Sequence, residues 1–504
     1  MMNPETTPVI VAVGEITDKP ADISQALEPV ALMAKALEAA NADAGGGLLK
    51  QIDSIDLVGL ITWRYTNPVG LLCEKLGIAP ARQHNASMGG ETPIRLIHDA
   101  ALAIARGEQR VAAFVGGEAM NAMAKARKQG VKLDWTPLAS KEEAVRFAND
   151  RIAISPVSKL IGVRDPSQMY PLYEMAAQKA WQESPAEGAQ HSAQLWQKFA
   201  AVAANNPFAW LTGAPSADEI GTVSPSNRII SWPYPKLMVA NPSVNQGAAI
   251  IVSSLAAARA AGVPEENLIY IHGGAAASEP DDYLLRDRYD RSAAQTAVLE
   301  KSLEFVGGDA KGFAKMELYS CFPIVPKLAL RCLGIDINSS EPTVTGGLTF
   351  FGGPLNNYMS HATCAMVRAL RAAPGETGLL YGQGGFVSKH HSLIVSSKAP
   401  REPLAEGYSV QSVADAAYGE VPPLQDDYTG EAAIETYTIQ YDRDGQPLQG
   451  VVVALGKQGQ RCLCRVDPGD TASLALLLDE SQSAVGRPGQ VSIDADGRPN
   501  WSTL

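Results

Sequence analysis

The sequence lacks several features that would have assigned it to a common class of proteins. It has no excess of positive charge, because its 54 acidic residues outnumber its 42 lysines and arginines and give a net charge of −12. That balance argues against nucleic acid as the main partner, since a phosphate backbone attracts Lys and Arg. The sequence also lacks a G-x-G-x-x-G loop, a P-loop and an H-E-x-x-H pair, so we expect no nucleotide cofactor and no zinc peptidase chemistry.

Long apolar runs and cysteine clusters are missing as well. The first residues show no basic segment followed by an apolar run, so we expect no signal peptide. The most apolar stretch, 247–263, carries Arg259 and two serines, which indicates a buried strand and a helix rather than a membrane span. The six cysteines have no metal-ligand spacing, which favours reduced thiols. We therefore expect a cytoplasmic protein with no metal and no membrane contact.

Short apolar runs that alternate with alanine-rich helical segments are what the first 400 residues do contain. Such alternation predicts α/β layers with both faces of the sheet covered. The texture changes after residue 400, where three strand-like runs are separated by turn sequences and predict a small barrel or sandwich. The apolar runs are 9–13, 57–61, 111–115, 248–252, 268–271, 316–319, 379–381 and 393–395, and the later strands are 434–441, 451–455 and 462–466.

A quasi-repeat suggests that the α/β part is duplicated. Gly89 and Gly90 precede a helical segment and a strand in the first half, and Gly352 and Gly353 do so in the second. The two helix N-termini could face each other, and their free N–H groups suit anions and developing oxyanions. Two ordinary helices that begin near proline would give the same pattern. The polar stretch between the halves, 125–227, is either a lid that shapes the substrate site or a structural cap.

Four motifs, in this order, resemble those of thiolases. They are Gly90–Ile97 with its continuation to Gly116-Gly117-Glu118-Ala119, then Tyr319-Ser320-Cys321-Phe322, then Gly346–Pro354, then Tyr381-Gly382-Gln383-Gly384-Gly385. The resemblance implies an α/β protein with a duplicated, layered thiolase fold (αβαβα), an insertion domain and a small β-rich, OB-like C-terminal domain. The implied boundaries are 1–124 with 228–265 for the N-terminal half, 125–227 for the insertion, 266–400 for the C-terminal half and 404–504 for the added domain.

The positions that carry thiolase chemistry are replaced in this chain. By the resemblance, the nucleophilic Cys falls on Gly90, two motif histidines fall on Tyr319 and Gly353, and the acid/base Cys falls on Tyr381. A thiolase needs one thiolate to hold the acyl group and a second base to deprotonate the attacking thioester. The chain looks like the bacterial thiolase-like proteins, close to the sterol-carrier-protein thiolases, that carry an added C-terminal domain and are commonly labelled acetyl-CoA acetyltransferases.

Tyr319 and Tyr381 are therefore the predicted catalytic residues, with Cys321 beside them. Both tyrosines end strands at the edge where open α/β sheets bind ligands, and a phenol whose pKa is lowered can act as an acid or a base. Thiolase-like steroid aldolases are similar in using tyrosines for retro-aldol cleavage of a β-hydroxyacyl-CoA, together with a separate OB-fold partner. Alternatively, both tyrosines are buried with satisfied hydroxyls. Cys321 is either a core residue or a nucleophile that needs a base such as His361 or His390.

The predicted substrate-binding residues are Gly90, Gly353, Asn356, Asn357 and His390. The asparagines open the second helix, where they either orient a thioester oxygen or cap the helix. We expect a coenzyme A thioester as substrate and no bound cofactor, and we leave a homodimer open. The leading hypothesis is an enzyme that acts on a C–C bond next to a thioester, by acyl transfer or by retro-aldol cleavage. The alternative is a non-catalytic acyl-CoA- or lipid-binding protein.

Overall fold

The computed structural model describes residues 3–148, 153–338 and 341–504. The strands are β1 Pro8–Thr17, β2 Ser54–Leu57, β3 Arg82–Asn85, β4 Val111–Ala119, β5 Ile229–Ser231, β6 Tyr234–Pro235, β7 Asn245–Ser254, β8 Ile269–Ser278, β9 Lys315–Leu318, β10 Thr377–Gly384, β11 Lys389–Ser396, β12 Gly430–Tyr441, β13 Pro447–Gly456, β14 Arg461–Val466, β15 Pro488–Ile493 and β16 Pro499–Thr503. The helices are α1 Pro29–Asp43, α2 Pro68–Leu76, α3 Thr92–Ala105, α4 Met120–Gln129, α5 Pro156–Ile161, α6 Pro166–Ala180, α7 Pro185–Ala204, α8 Ala217–Gly221, α9 Leu255–Ala260, α10 Ala293–Glu304, α11 Ile324–Cys332, α12 Tyr358–Arg371, α13 Gln411–Ala417 and α14 Thr471–Leu477.

The large sheet is built from two halves with the same connectivity. Within the described residues its order is β3-β2-β4-β7-β1-β8-β11-β10-β9. In the first half β2 and β4 are parallel, whereas β7 is antiparallel to both β4 and β1. In the second half β9 and β10 are parallel, whereas β11 is antiparallel to both β10 and β8. The halves meet where β1 pairs with β8, so the duplicated fold that the sequence predicts is confirmed.

Helices cover both halves and also fill the space between them. Helices α3 and α12 contact strands of both halves as well as each other, so they form a central layer. Helix α1 packs on β1, β4 and β7, and α10 packs on β8 and β11, which makes them outer layers. Strands β4 and β7 are buried along their whole length, as expected for a sheet with both faces covered. The arrangement is the predicted αβαβα sandwich.

The two central helices begin close to the predicted positions for local reasons. Pro93 occupies the first turn of α3, where its missing N–H and fixed φ cost nothing. Helix α12 begins at Tyr358, after a short 3₁₀ turn at Leu355–Asn357. The run 57–61 differs from its prediction as a strand: β2 ends at Leu57, and the backbone N–H of Ile61 donates to the buried Glu118 carboxylate at 2.8 Å. Ile61 therefore belongs to a loop that is fixed by a side chain rather than by sheet pairing.

The C-terminal part forms a small barrel. Strand β12 pairs with β13 on one side and with β15 on the other, and β14 and β16 complete the ring. Helix α14 lies between β14 and β15 in the chain, and the five strands match the barrel of an OB fold. Tyr437 and Ile439 are fully buried inside it, while Tyr441 is half-buried. The predicted OB-like domain is confirmed as a fold class.

The barrel is joined to the rest of the protein by a hairpin from the middle of the chain. Strands β5 and β6 extend the barrel sheet, and Ser231 pairs with Gln440 of β12. Helix α6 of the insertion packs against β12, and Thr436 Oγ1 donates to the carbonyl oxygen of Leu172. The predicted domain boundaries remain predictions; four insertion residues, 149–152, lie outside the described residues. No helix in the described part of the chain combines the length and apolarity needed to cross a membrane.

Candidate active site

A cavity of about 450 Å³ opens at the carboxyl ends of β9 and β10. Residues that precede α3 and α12 both line it: Gly89 and Gly90 lie before α3, and Gly353 lies before α12. Residues of both glycine pairs therefore meet at one site, as the quasi-repeat suggested. Five of the predicted site residues line this cavity: Gly90, Gly353, Asn356, Tyr319 and Cys321. Tyr381, Asn357 and His390 are not among its lining residues. Other walls come from the loop at Ile61 and Met88, from Val239 and Ala240, from Phe322 and Leu348, and from Gln383 and Lys389.

Gly90 and Tyr319 fit together as a pair. A β-carbon at Gly90 would lie 2.5 Å from the phenolic oxygen of Tyr319 and would collide with the carbonyl oxygen of Gln383. No side chain can therefore occupy the position that, by resemblance, carries the thiolase nucleophile unless Tyr319 moves. The glycine at position 90 and the phenol of Tyr319 are therefore sterically linked, because the phenol occupies the space that a side chain at position 90 would need.

The Tyr319 side chain lies at the cavity wall. The side chain is 7% exposed, and its ring packs edge-on against Tyr358 with centroids 5.8 Å apart. No residue in the described ranges forms a hydrogen bond with its hydroxyl. Burial raises the pKa of Tyr319 well above 10, and nearby Cys321 and Glu91 raise it further. Action as an acid or base near neutral pH would require a lowered pKa; the Tyr319 phenol is instead neutral and can donate a hydrogen bond.

Cys321 also faces the cavity, but its thiol is not activated. Its Sγ is 3.9 Å from Oε1 of Gln383. Burial raises the pKa of Cys321 to about 12, so the thiolate that a nucleophile requires is scarce at neutral pH. Of the two suggested bases, His361 Nδ1 lies 2.6 Å from the buried carboxylate of Glu15, and His390 contacts Tyr381. Neither histidine lines the cavity.

Tyr381 is held in a buried polar network instead of at the cavity. Its hydroxyl donates to Nδ1 of His390 at 2.7 Å and accepts from the Gln295 amide at 2.9 Å. On the far side of the imidazole, Nε2 is 3.2 Å from Ser292 Oγ, which donates to Glu279 at 2.7 Å. Burial lowers the pKa of His390 to about 3, so the imidazole is neutral. The hydroxyl of Tyr381 is satisfied, as the alternative interpretation of the sequence required.

The two asparagines behave differently from each other. The side chain of Asn356 accepts from the Gly89 N–H at 3.0 Å and donates to the Gly59 carbonyl at 2.9 Å. It ties two loops of the first half together, so its amide is already engaged. Asn357 is 2% exposed and packs against Gly116, and neither its amide nitrogen nor its amide oxygen has a partner within the described ranges. Neither asparagine caps α12 through its side chain.

Two residues that the sequence analysis missed complete the cavity wall. The hydroxyl of Tyr170 donates to the Gly385 carbonyl at 2.9 Å and accepts from Nε2 of Gln383 at 3.0 Å. The ring of Tyr170 stacks on Phe322 with centroids 4.6 Å apart. Tyr170 comes from α6, so the insertion forms part of the wall, as a substrate-shaping excursion would. Period-2 alternation from Tyr381 could have indicated Gln383, which shares its face and lies nearer the strand end.

Charge at the cavity is limited. Lys389 is the one cationic residue among the described residues that line it. Its Nζ lies 3.3 Å from an oxygen of Asp281, and the side chain keeps 23% exposure. Gly353, at the position of a predicted motif histidine, lines the cavity and donates its N–H to the carbonyl of Asn241 at 2.9 Å. The cavity thus combines a phenol and a thiol whose pKa values are both raised with one lysine side chain.

The fold and this site define a thiolase-fold protein whose thiolase nucleophile position is a glycine. Over 78% of the chain and 99% of theirs, it aligns with human mitochondrial 3-ketoacyl-CoA thiolase in complex with CoA (TM-score 0.56, 15% identity) and with the Ltp2-ChsH2(DUF35) aldolase (TM-score 0.59, 16% identity). At these identities the likeness concerns the fold alone.

A more specific likeness covers the whole chain, including its tail. Residues 410–497 match the family described as the thiolase-like protein type 1 additional C-terminal domain. The entire chain aligns with the entire monomeric SCP2-thiolase-like protein type 1 from Mycobacterium smegmatis, with TM-score 0.84 and 29% identity. The resemblance to thiolase-like proteins with an added domain is thereby confirmed. No curated protein matches the chain in sequence.

Proposed function

We propose that this protein binds an acyl-CoA-type thioester in the cavity at Tyr319 and cleaves the C–C bond next to the thioester by a retro-aldol reaction. The observation that carries the proposal is the pair formed by Gly90 and Tyr319: a phenol fills the space of the nucleophile, so the reaction must proceed without a covalent acyl group. Retro-aldol cleavage of a β-hydroxyacyl thioester is C–C chemistry of that kind. The fold shared with the aldolase named above supports it.

The reaction is balanced without any co-reactant. A base takes the proton of the β-hydroxyl, the Cα–Cβ bond breaks, and its electron pair moves toward the thioester to give an enolate. The β-carbon leaves as a carbonyl compound, and a proton returned to Cα gives the shorter acyl thioester. Charge develops on the thioester oxygen, where a preorganised donor is most effective. Because the Tyr319 phenol is neutral and has no other partner, we assign it to donate to that oxygen.

The walls of the cavity support an acyl thioester as the ligand. Leu348, Phe322 and Val239 give apolar surface for an acyl chain, and Lys389 at the wall can pair with a phosphate. The human mitochondrial thiolase of the same fold was solved in complex with CoA. In this proposal coenzyme A is part of the substrate, not a resident cofactor. We further propose a cytoplasmic protein with no nucleic-acid partner; a homodimer remains a prediction, and the M. smegmatis protein is monomeric.

Acyl transfer of the acetyl-CoA acetyltransferase type has less support from the site. It requires a thiolate to hold the acyl group. Gly90 supplies none, and the thiol of Cys321 is protonated because burial raises its pKa to about 12. The expectation of an acetyltransferase therefore rests on resemblance alone.

A second candidate function is binding of acyl-CoA or lipid without catalysis. It is favoured by one observation: among the described lining residues of the cavity there is no histidine, and both Cys321 and Tyr319 have raised pKa values. Such a protein would bind the ligand in the cavity without cleaving it.

Thermal stabilisation followed by a cleavage assay tests the proposal. A ligand that binds only the folded protein raises its melting temperature. We expect β-hydroxyacyl-CoAs to raise it more than free CoA does, and wild-type protein to release a carbonyl compound and a shorter acyl-CoA from one of them. Stabilisation without cleavage of any β-hydroxyacyl-CoA would favour the binding function. No stabilisation by any CoA ester would remove both.

A further inference from the structure

The turn between β10 and β11 carries part of the cavity wall. Residues of the turn and of the two strand ends beside it line the cavity, namely Gln383, Gly384, Gly385 and Lys389. Within the turn, Val387 has a φ of 58°, in the left-handed region that a β-branched residue rarely adopts. A backbone in such a conformation costs free energy and persists only where its surroundings impose it. The contacts of this turn therefore determine the position of one wall of the cavity.

Helix α6 of the insertion holds the first two carbonyl groups of the turn. The hydroxyl of Tyr170 donates to the Gly385 carbonyl at 2.9 Å, and the hydroxyl of Tyr173 donates to the Phe386 carbonyl at 2.7 Å. Both tyrosines are buried. The insertion thus fixes one side of the turn through hydrogen bonds that water cannot easily replace.

Arg286 holds the third carbonyl group, that of the strained residue. It lies in the segment between β8 and α10 and is fully buried, and its Nη1 donates to the Val387 carbonyl at 2.9 Å. Its Nη2 lies 2.5 Å from Oε2 of Glu279, which balances the charge. A buried arginine is costly unless its charge is paired and its N–H groups are bonded. Because both conditions are met, Arg286 is a fixed donor to the turn.

Arg461 of the added barrel holds the segment that carries Arg286. These two residues are the fully buried arginines of the part of the chain that the structure describes. Nη1 of Arg461 donates to the carbonyls of Leu284 at 2.8 Å and of Arg286 at 2.5 Å. Its Nε and Nη2 donate to the Glu435 carboxylate of β12 at 2.7 Å and 2.5 Å. A planar guanidinium with several fixed donors suits such a bridge. Continuous contacts therefore lead from the barrel through Arg286 to Val387.

We infer that Arg461 is a positioning residue for the cavity: by fixing the backbone of Arg286, the added C-terminal barrel sets the position of the β10–β11 turn and hence of Lys389. No barrel residue of the described ranges lines the cavity, so the barrel acts on it through other segments. The inference rests on the proposed function for its ligand, a CoA thioester whose phosphate pairs with Lys389. The contacts from Arg461 to the turn do not depend on that ligand.

Two measurements on Arg461→Met, which keeps the apolar stem and removes the donors, test the inference. In the free protein, hydrogen exchange followed by mass spectrometry should show the amides of residues 383–390 exchanging about tenfold faster or more, while those of β4 keep their rate. Well below the melting temperature, we expect the Kd of the best β-hydroxyacyl-CoA to rise and its cleavage to fall, each by about tenfold. A residue with a merely structural role would lower the melting temperature without either change.

Arg465→Met is the matched control. Arg465 lies on the same strand, β14, and pairs with Asp467 inside the barrel. Its replacement should leave the exchange of residues 383–390, the Kd and the cleavage rate within about twofold of wild type.

The outcomes separate the positioning role from the reaction. If residues 383–390 exchange at the wild-type rate in Arg461→Met, the inference is overturned whatever the ligand. Faster exchange with unchanged Kd and cleavage also overturns it, because the site then does not depend on the turn. If wild-type protein binds none of the CoA esters, the proposed function fails, and faster exchange confined to the turn still supports the positioning role. Should Arg461→Met not fold, Arg461→Lys, which cannot bond both carbonyls and Glu435 together, carries the same test with the same outcomes.

Discussion

Tyr319 directly follows β9, as predicted, whereas Tyr381 lies inside the neighbouring parallel strand β10 and not at its end. The Tyr319 N–H donates to the Tyr381 carbonyl at 3.1 Å. Both are buried, and both replace catalytic side chains of the thiolase motifs. Yet the Tyr319 hydroxyl, at the cavity, has no hydrogen-bond partner in the part of the chain that the structure describes, whereas the Tyr381 hydroxyl is bonded to Gln295 and His390 away from the cavity. Replacement of a thiolase catalytic side chain by tyrosine therefore does not by itself put the hydroxyl at the cavity. The two tyrosines differ in whether the hydroxyl already forms hydrogen bonds within the protein.

The largest effect that this comparison predicts is on activity. Tyr319→Phe removes the donor to the thioester oxygen, and we expect cleavage of the β-hydroxyacyl-CoA substrate to fall by about 100-fold or more. Tyr381→Phe should lower it by much less, because the Tyr381 hydroxyl does not reach the cavity. Steady-state kinetics on both variants measures the difference. Equal losses in the two variants would contradict the assignment.

Stability should respond in the opposite order. Tyr381→Phe leaves His390 and the Gln295 amide buried without their shared partner, and we expect the free energy of unfolding to fall by about 1–3 kcal/mol. Tyr319→Phe leaves no partner behind and should change it by less than about 1 kcal/mol. Urea unfolding of both variants checks this. A Tyr319→Phe protein that is the less stable of the two would show that its hydroxyl is used within the fold.

The tight fit between Tyr319 and Gly90 gives the third prediction. Gly90→Ala places a methyl group against the phenol and the Gln383 carbonyl, so it should destabilise the protein by about 1–3 kcal/mol through overpacking. Gly353→Ala is the control at the other glycine pair, where the nearest atom would be 3.3 Å from the new methyl group. Melting temperatures of the two variants measure the difference, and we expect the lower value for Gly90→Ala. Tolerance of Gly90→Ala would mean that the ring moves aside easily.

The same distinction between groups with and without hydrogen-bond partners applies to Glu118, whose carboxylate accepts from Ile61 and Thr62. Burial raises the pKa of Glu118 to about 7 from an ordinary value of 4.5. Between those two values the folded protein holds a proton that the unfolded chain does not hold. The stabilisation is therefore fully present below pH 4.5 and is lost as pH rises through 7. In Glu118→Gln, the free energy of unfolding should fall less steeply over that window; an unchanged slope would contradict the raised pKa.

The fold could be predicted from the sequence because its signals are repeated and ordered. Four motifs in one order, two glycine pairs and alternating apolar runs all point to the same duplicated sandwich. The site was predictable only in part. Gly90, Gly353, Asn356, Tyr319 and Cys321 meet at the cavity because their backbone positions follow from strand and helix ends. How far a residue lies from the end of its strand, and which groups bond to its hydroxyl, depend on residues that are distant in the sequence. For that reason the sequence predicts Tyr381 at the cavity and does not indicate Gln383.

The burial of Glu91 at the start of α3 could not be predicted, for a different reason. A glutamate just before a helix is an ordinary surface residue in most sequences, and acidic residues favour helix N-termini. Nothing in the local pattern indicates that Gly384, from another strand, lies against its carboxylate. Strands β5 and β6 are a similar case, since their pairing with the barrel depends on segments far apart in the chain.

That hairpin also has a consequence for how the protein reaches its native state. Thr438 of the barrel donates to the carbonyl of Trp232 beside the hairpin, across 206 positions of the chain. During synthesis the face of α6 that packs against β12 stays uncovered until the barrel strands have been made. Contacts of such long range slow folding and lengthen the exposure of apolar surface. Shortened versions that end before residue 404 should therefore bind chaperones or aggregate, rather than fold as a smaller thiolase.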